Sequence, residues 1–297
     1  MACSNTSQIY AKVSKHYSAA SKTTSVKYGE TVAKSFGYTE EELANIPEGA
    51  NLGLSCGNPL AITSLREGET VVDLGSGAGF DVFLASTKVG PTGKAIGIDM
   101  NDDMLSRANK IKESKGQSAE NVSFVKGVIT EIPLEAGTAD CIISNCVINL
   151  VPEADKPLVF KEMHRLLKPG GRIAVSDILA KQPLPEKLRN DIAMYVGCIA
   201  GASQVSEYEK YLGDAGFTNV IIADTKSDLN VYLDTNDDGT KKTTDNSCCD
   251  PTTSCCAGTS CSDTPAAKDS AAPSTEDLAK TDLNDYVGSY KIYAVKN

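Results

Sequence analysis

The chain has 297 residues, 41% of them hydrophobic, and a formal net charge of −10. That length allows one large domain, or one domain with an appendage, and the hydrophobic share is ordinary for a globular protein. The acidic balance argues against a nucleic-acid partner, and the absence of a long apolar run argues against a membrane span.

The charge is local, since residues 234–285 hold eleven acids and four lysines and so carry −7 of it. Met1-Ala-Cys-Ser-Asn-Thr lacks the charged and apolar regions of a signal peptide, which predicts a cytoplasmic location. Residues 1–25, rich in Ser, Thr and Lys without a clear period, read as a loose or weakly helical arm. Residues 26–46 read as a helix ended by Pro47-Glu-Gly, and Leu52-Gly-Leu-Ser-Cys-Gly-Asn-Pro59 reads as a loop. Strands are expected at 70–74, 94–99, 122–126, 140–145, 172–177 and 217–223, and helices at 79–89, 101–113, 155–167, 186–201 and 204–215. This alternation predicts an α/β fold with a doubly wound parallel sheet. The pattern then breaks, because residues 234–280 carry too few large apolar side chains to fold alone. Ser289-Tyr-Lys-Ile-Tyr-Ala-Val295 alternates again as a strand. The expected organisation is an N-terminal arm and lid at 1–60, a core at 61–233, a disordered Cys-rich insertion at 234–285, and a last strand of the core at 286–297. A long loop of this kind is tolerable because closure entropy grows only logarithmically with length.

The stretch with the most chemical content is Val71-Val-Asp-Leu-Gly-Ser-Gly-Ala-Gly79. It is an apolar strand running into a glycine-rich turn that opens a helix. The next strand, Ala95-Ile-Gly-Ile, ends in Asp99. Glycines let the backbone approach a ligand closely, and a carboxylate at the end of the second strand suits the two ribose hydroxyls of a nucleoside.

Ten cysteines in a chain read as intracellular suggest free thiols or thiol ligands rather than a disulfide scaffold. Cys141 lies among the isoleucines of the fourth strand and reads as a small core residue. Cys146 lies just past the carboxyl end of that strand, where a soft thiol suggests a soft substrate. Cys56 falls in the loop before the first strand. Cys198 falls on the expected helix 186–201, with Gly197 and Gly201 leaving room beside it. Taken singly, Cys56 and Cys198 fit a structural role as well as a functional one. Cys248, Cys249, Cys255, Cys256 and Cys261 crowd into fourteen residues of the insertion, as either a spacer with incidental thiols or a tether that captures a soft metal ion.

The form Asp73-x-Gly-x-Gly-x-Gly79 resembles motif I of class I S-adenosylmethionine-dependent methyltransferases. Asp140-Cys-Ile-Ile-Ser-Asn145 resembles the fourth strand of that fold, and Lys168-Pro-Gly-Gly171 the turn before its fifth. The likeness spans residues 60 to 225 and implies a Rossmann-like sheet, mostly parallel with an antiparallel last strand. Three further motifs, Gly53-Leu-Ser-Cys-Gly-Asn-Pro59, Ser144-Asn-Cys-Val-Ile-Asn-Leu150 and Tyr195-Val-Gly-Cys-Ile-Ala-Gly-Ala202, resemble the arsenite methyltransferases. That resemblance implies detoxifying methylation of arsenite and methylarsenite by S-adenosylmethionine, with trivalent arsenic held by the thiolates of Cys56, Cys146 and Cys198. It implies a donor site of Asp73, Gly75, Ser76, Gly77, Gly79 and Asp99, with Met100 on the adenine and Ile129 and Thr130 beside it. Asn145 is expected either near the sulfonium or as a cap of the strand turn. A thiol reductant such as glutathione or thioredoxin is the implied partner, with neither nucleic acid nor membrane. An arsenic lone pair needs no proton removed, so His16 and His164 are not required. Two other readings stay open at this point, a methyltransferase for an organic acceptor such as a quinone or sterol, and a non-catalytic soft-metal binder.

Overall fold

The computed structural model describes residues 2–23, 26–189, 198–231 and 282–297. Seven strands form one sheet: β1 (Thr70–Leu74), β2 (Lys94–Asp99), β3 (Val122–Lys126), β4 (Ala139–Asn145), β5 (Leu167–Ala180), β6 (Phe217–Asp224) and β7 (Val287–Lys296). Their order is β3-β2-β1-β4-β5-β7-β6. The first five run parallel, and β7 lies antiparallel between β5 and β6. This is the mostly parallel, doubly wound architecture that the alternating pattern implies.

The apolar runs explain the layers. In β1, Val72 and Leu74 enter one core cluster, while Val71 enters the cluster on the other face. The first cluster is closed by the helix α6 (Lys156–Leu166), whose Phe160 and Met163 are fully buried. Phe160 meets Tyr208 of α8 (Val205–Ala215) edge to face at 5.3 Å. The second is closed by α4 (Phe80–Val89), with Val82, Phe83, Leu84 and Ala85 buried. Cys141 lies there too, fully buried, and burial pushes its thiol up to about 12. The helix α5 (Asp102–Lys115) is capped by the Asn101 side chain, which accepts from Met104 N–H.

Four expectations are revised. Residues 26–46 form two helices, α2 (Val26–Ser35) and α3 (Glu40–Asn45). Gly37 takes a left-handed turn between them, and a Thr39–Glu42 capping box starts the second. The arm at 1–25 is a helix, α1 (Ala2–Thr23), docked by Ile9, Val13 and Tyr17, one stripe at a spacing of four. Strand β5 starts at Leu167 rather than 172, because Leu167 pairs with Ala139 before a register shift. The helix expected at 186–201 is present as α7 (Glu186–Arg189). Residues 190–197, Gly197 among them, lie outside the described residues, and Cys198 is in a turn with φ +65° rather than on a helix.

The insertion lies outside the described residues except for 282–285, which form an ordered turn with Leu283 buried. The flanks of the excursion are clasped. Asn230 Nδ2 donates to Asp282 Oδ1 at 2.9 Å, and Leu283 N–H donates back to Asn230 Oδ1 at 3.1 Å. No helix among the described residues is long and apolar enough to cross a membrane.

Truncating Phe160 removes the ring at the centre of the larger cluster. Phe160→Ala is expected to lower the unfolding free energy by about 3–5 kcal/mol in a urea titration.

Candidate active site at the carboxyl edge of the sheet

The strands β1, β2 and β4 deliver their carboxyl ends to a cavity of about 1060 Å³, its open mouth included. It opens beside β1, where the strand order reverses, which is where open α/β sheets bind ligands. Asp73, Gly75, Ser76, Gly77, Asp99, Met100, Ile129, Asn145 and Cys146 all line it. Gly75 holds φ +70°, and a methyl group there would collide with the Val147 side chain. The turn is fastened from β2, since Gly75 and Ser76 N–H both donate to the Ile98 carbonyl. Asp99 accepts from Gly77 N–H and Asn101 N–H, each at 2.8 Å.

Of the other expected residues, Gly79 caps the start of α4 behind the cavity wall. The Thr130 side chain hydrogen-bonds Tyr10 of α1. Helix α1 is the part of the site that the sequence reading missed. Tyr10, Val13, Ser14 and Tyr17 line the cavity, and Asn101 Nδ2 donates to the Ser14 carbonyl at 2.8 Å and to Ser18 Oγ at 3.0 Å. The stripe Ile9-Val13-Tyr17 was the available signal.

Three carboxyls line the glycine-turn end of the cavity. Burial raises Asp73 well above the usual carboxylate range, and Asp81 and Asp99 push it further. Burial raises Asp81 to about 6 against hydrogen bonds from Tyr38 and Asn145, and it raises Asp99 against its backbone donors. Asp81, which the sequence reading did not single out, accepts from Tyr38 Oη at 2.7 Å and from Asn145 Nδ2 at 3.0 Å.

Asn145 joins this network to the cysteines. Its Nδ2 also donates to the Gly57 carbonyl at 2.9 Å, and its Oδ1 accepts from Cys56 N–H at 3.2 Å. Gly57 sits so close to β5 that a methyl group would fall 2.6 Å from Ser176 Cβ. Ser289 of β7 holds the Cys56 carbonyl at 2.6 Å, and Asn58 ties the same loop to the Gly37 carbonyl and Glu42. The loop is thereby pinned with Cys56 fully buried and disulfide-bonded to Cys146, the Cα atoms 5.6 Å apart.

Cys198 joins both in one buried cluster, its Sγ donating to the Cys146 carbonyl at 2.7 Å. Burial and Asp177 push its thiol well up, with Tyr17 and Lys156 acting the other way. Asp177, another residue missed from sequence, places an oxygen within 4.8 Å of the Cys56 and Cys146 sulfurs. It accepts from Tyr208 Oη and Asn149 Nδ2, and burial raises it to about 6.

A seven-stranded sheet of this order, with a glycine-turn cavity at its switch point, defines a class I methyltransferase fold. The methyltransferase-domain family matches residues 65–216, about half of the chain, and the chain belongs to that family. It is similar to an arsenite methyltransferase of Halobacterium salinarum, 46% identical over 187 residues, covering 63% of this chain and 47% of that protein. A second arsenite methyltransferase, of Aquipseudomonas alcaligenes, is 38% identical over 178 residues, covering 58% of this chain and 50% of the other. The chain thus spans about half the length of the curated relatives it matches. Among solved structures it resembles an arsenic(III) S-adenosylmethionine methyltransferase from Chlamydomonas reinhardtii. That likeness has a TM-score of 0.56 at 22% identity, over 90% of this chain and 73% of the other, and speaks to the fold.

Asp177 carries a pH signature. Its folded value of about 6 exceeds the ordinary 3.8, so the native state binds the extra proton and stability falls as pH rises between them. Asp81 acts in the same sense. Asp177→Asn is expected to flatten the decline in unfolding free energy between pH 4.5 and 6.5, by up to about 1.4 kcal/mol per pH unit. Parallel curves for the two proteins would contradict the raised value.

Proposed function

We propose that this chain methylates trivalent arsenic from S-adenosylmethionine, with Cys56, Cys146 and Cys198 as the arsenic-binding thiolates. The observation that carries the reading is the gathering of these three cysteines in one buried cluster against the glycine-turn cavity. Thiolates are the ligands that soft trivalent arsenic prefers. The relatives named as arsenite methyltransferases support it over the part of their length that the chain spans.

The cavity residues fit the methyl donor. Ser76, which lines the same cavity as Asp99, has its Oγ buried without a hydrogen-bond partner among the described residues. The acids Asp73, Asp81 and Asp99 favour a cationic ligand, and Met100 and Ile129 offer apolar surface to a flat base. Bound there, the donor supplies an electrophilic methyl group.

Arsenic uptake balances as a condensation. Arsenite with three thiols gives an arsenic trithiolate and three waters, each thiol proton leaving with a hydroxyl group of arsenite. The disulfide-bonded pair Cys56 and Cys146 has no thiols to offer. A reductant must open it first, and Cys198 must turn from the Cys146 carbonyl. In the methyl transfer the arsenic lone pair would become an As–C bond while the sulfonium's methyl–sulfur bond breaks, its electron pair staying on sulfur as S-adenosylhomocysteine leaves, and no proton is lost from arsenic. No histidine is needed, and the chain's contribution is alignment of arsenic with the cavity and exclusion of water. The arsenic is formally oxidised by two electrons, which an external thiol reductant of the glutathione or thioredoxin class returns.

The direct test is transfer of a labelled methyl group from S-adenosylmethionine to arsenite, with a thiol reductant present. The wild type is expected to form methylated arsenic, and Cys146→Ser to lose about 100-fold or more, the scale of a misplaced reactant. Equal activity in both proteins would refute the arsenic site, and an organic acceptor in place of arsenite would refute the function. Asp99→Ala is expected to weaken donor binding about tenfold or more in calorimetry, because charge-assisted hydrogen bonds to the ribose are lost. Its arsenite stoichiometry should be unchanged.

A further inference from the structure

We propose that Asn149 is a positioning residue for the arsenic site, its side-chain amide holding the Cys198 turn against the Cys146 turn. The inference rests on the arsenic reading above and assigns a role to a residue that does not line the donor cavity.

Cys146 and Cys198 both sit in the left-handed region, at φ +60° and +65°. Residues with a side chain avoid it unless their surroundings impose it. The surroundings here are reciprocal hydrogen bonds between the two turns. Cys198 Sγ donates to the Cys146 carbonyl at 2.7 Å. Asn149, three residues past Cys146, returns the contact with Nδ2 donating to the Cys198 carbonyl at 3.1 Å. The same Nδ2 reaches the Ile178 carbonyl at 2.5 Å and Asp177 Oδ1 at 2.9 Å, both on β5. One fully buried amide thus ties the turn after β4, the end of β5 and the Cys198 turn together.

The far end of the Cys198 turn is fixed from the same side of the sheet. Lys156, 1% exposed, donates to the Gly201 carbonyl and to Ser203 Oγ, both at 2.6 Å, and pairs with Glu153 at 2.8 Å. Lys156 secures the turn three residues beyond Cys198, whereas Asn149 secures the Cys198 backbone itself. An apolar residue at 149 leaves the Cys198 carbonyl without that donor and frees the strained turn to relax. The Cys56–Cys146 pair is held by Asn145 and Ser289, which Asn149 does not touch. Losing Asn149 therefore acts first on Cys198, whose carbonyl it holds directly.

The test is site-resolved alkylation of the reduced full-length protein, read by peptide mass spectrometry across an arsenite titration. In the wild type, arsenite is expected to protect Cys56, Cys146 and Cys198 together. In Asn149→Leu, protection of Cys198 should need about tenfold more arsenite or be lost, while Cys56 and Cys146 stay protected. The arsenite KM should rise, and the S-adenosylmethionine KM should stay within about twofold. Should the leucine variant fail to fold, Asn149→Ser, whose hydroxyl is too short to reach the Cys198 carbonyl, is expected to give the same pattern. Protection of Cys198 as in the wild type would overturn the proposal. Equal loss at all three cysteines would also overturn it, by showing a general structural role. Absence of protection at all three in the wild type would instead sink the arsenic reading, and this proposal with it.

Discussion

The side chain of Asn145 is the interaction on which the site depends. It stands at the end of β4 and spends every hydrogen-bonding group it has. Nδ2 reaches Tyr38, Asp81 and the Gly57 carbonyl, and Oδ1 takes the Cys56 N–H. A loop from before the first strand is thereby fixed against the middle of the sheet, 89 residues away in sequence. Buried polar groups in a low-dielectric interior are costly unless satisfied, so a satisfied amide specifies one arrangement of its neighbours. The glycine-turn cavity and the cysteine cluster meet here, with Cys146 common to both. Asp81 and Cys146 both line the cavity beside Asn145, and Cys56 is bonded to Cys146.

The last strand completes the wall from the far end of the chain. Ser289 holds the Cys56 carbonyl, and the clasp between Asn230 and residues 282–283 closes the excursion that leads into β7. Leu229 and Leu283 sit in the same buried cluster as the three cysteines. The neck of the cysteine-rich segment is thus fixed beside the proposed arsenic site. The opposite, amino edge of the sheet is held differently, by Arg172 gripping Glu69 with two hydrogen bonds of 2.9 and 2.8 Å. Helix α1 lines the cavity between these edges through Tyr10, Val13 and Tyr17.

Much of this was legible in the sequence, for physical reasons. Apolar runs such as Val71-Val72 and Ile142-Ile143 are buried on both faces, so their strands stand out. The glycine turn and Asp99 were legible because close approach to a ligand restricts the residue types. Local patterning was silent on Asp177, Asn149 and Lys156. Each owes its role to at least one partner from a distant segment, as with Lys156 and Gly201, 45 residues apart. The placement of Cys198 on a helix was misread because the flanking glycines do not reveal a left-handed turn held by a neighbouring carbonyl and amide. The N-terminal helix was misread because its stripe of three apolar residues is thin and its polar face is uniform.

Diffraction at the arsenic absorption edge, from crystals of the reduced protein grown with arsenite and S-adenosylhomocysteine, tests the central claim most directly. The account predicts an anomalous peak bonded to the sulfurs of Cys56, Cys146 and Cys198, facing the sulfur of the bound nucleoside across the cavity. Arsenic bound only by other cysteines, or a site turned away from the nucleoside, would contradict it.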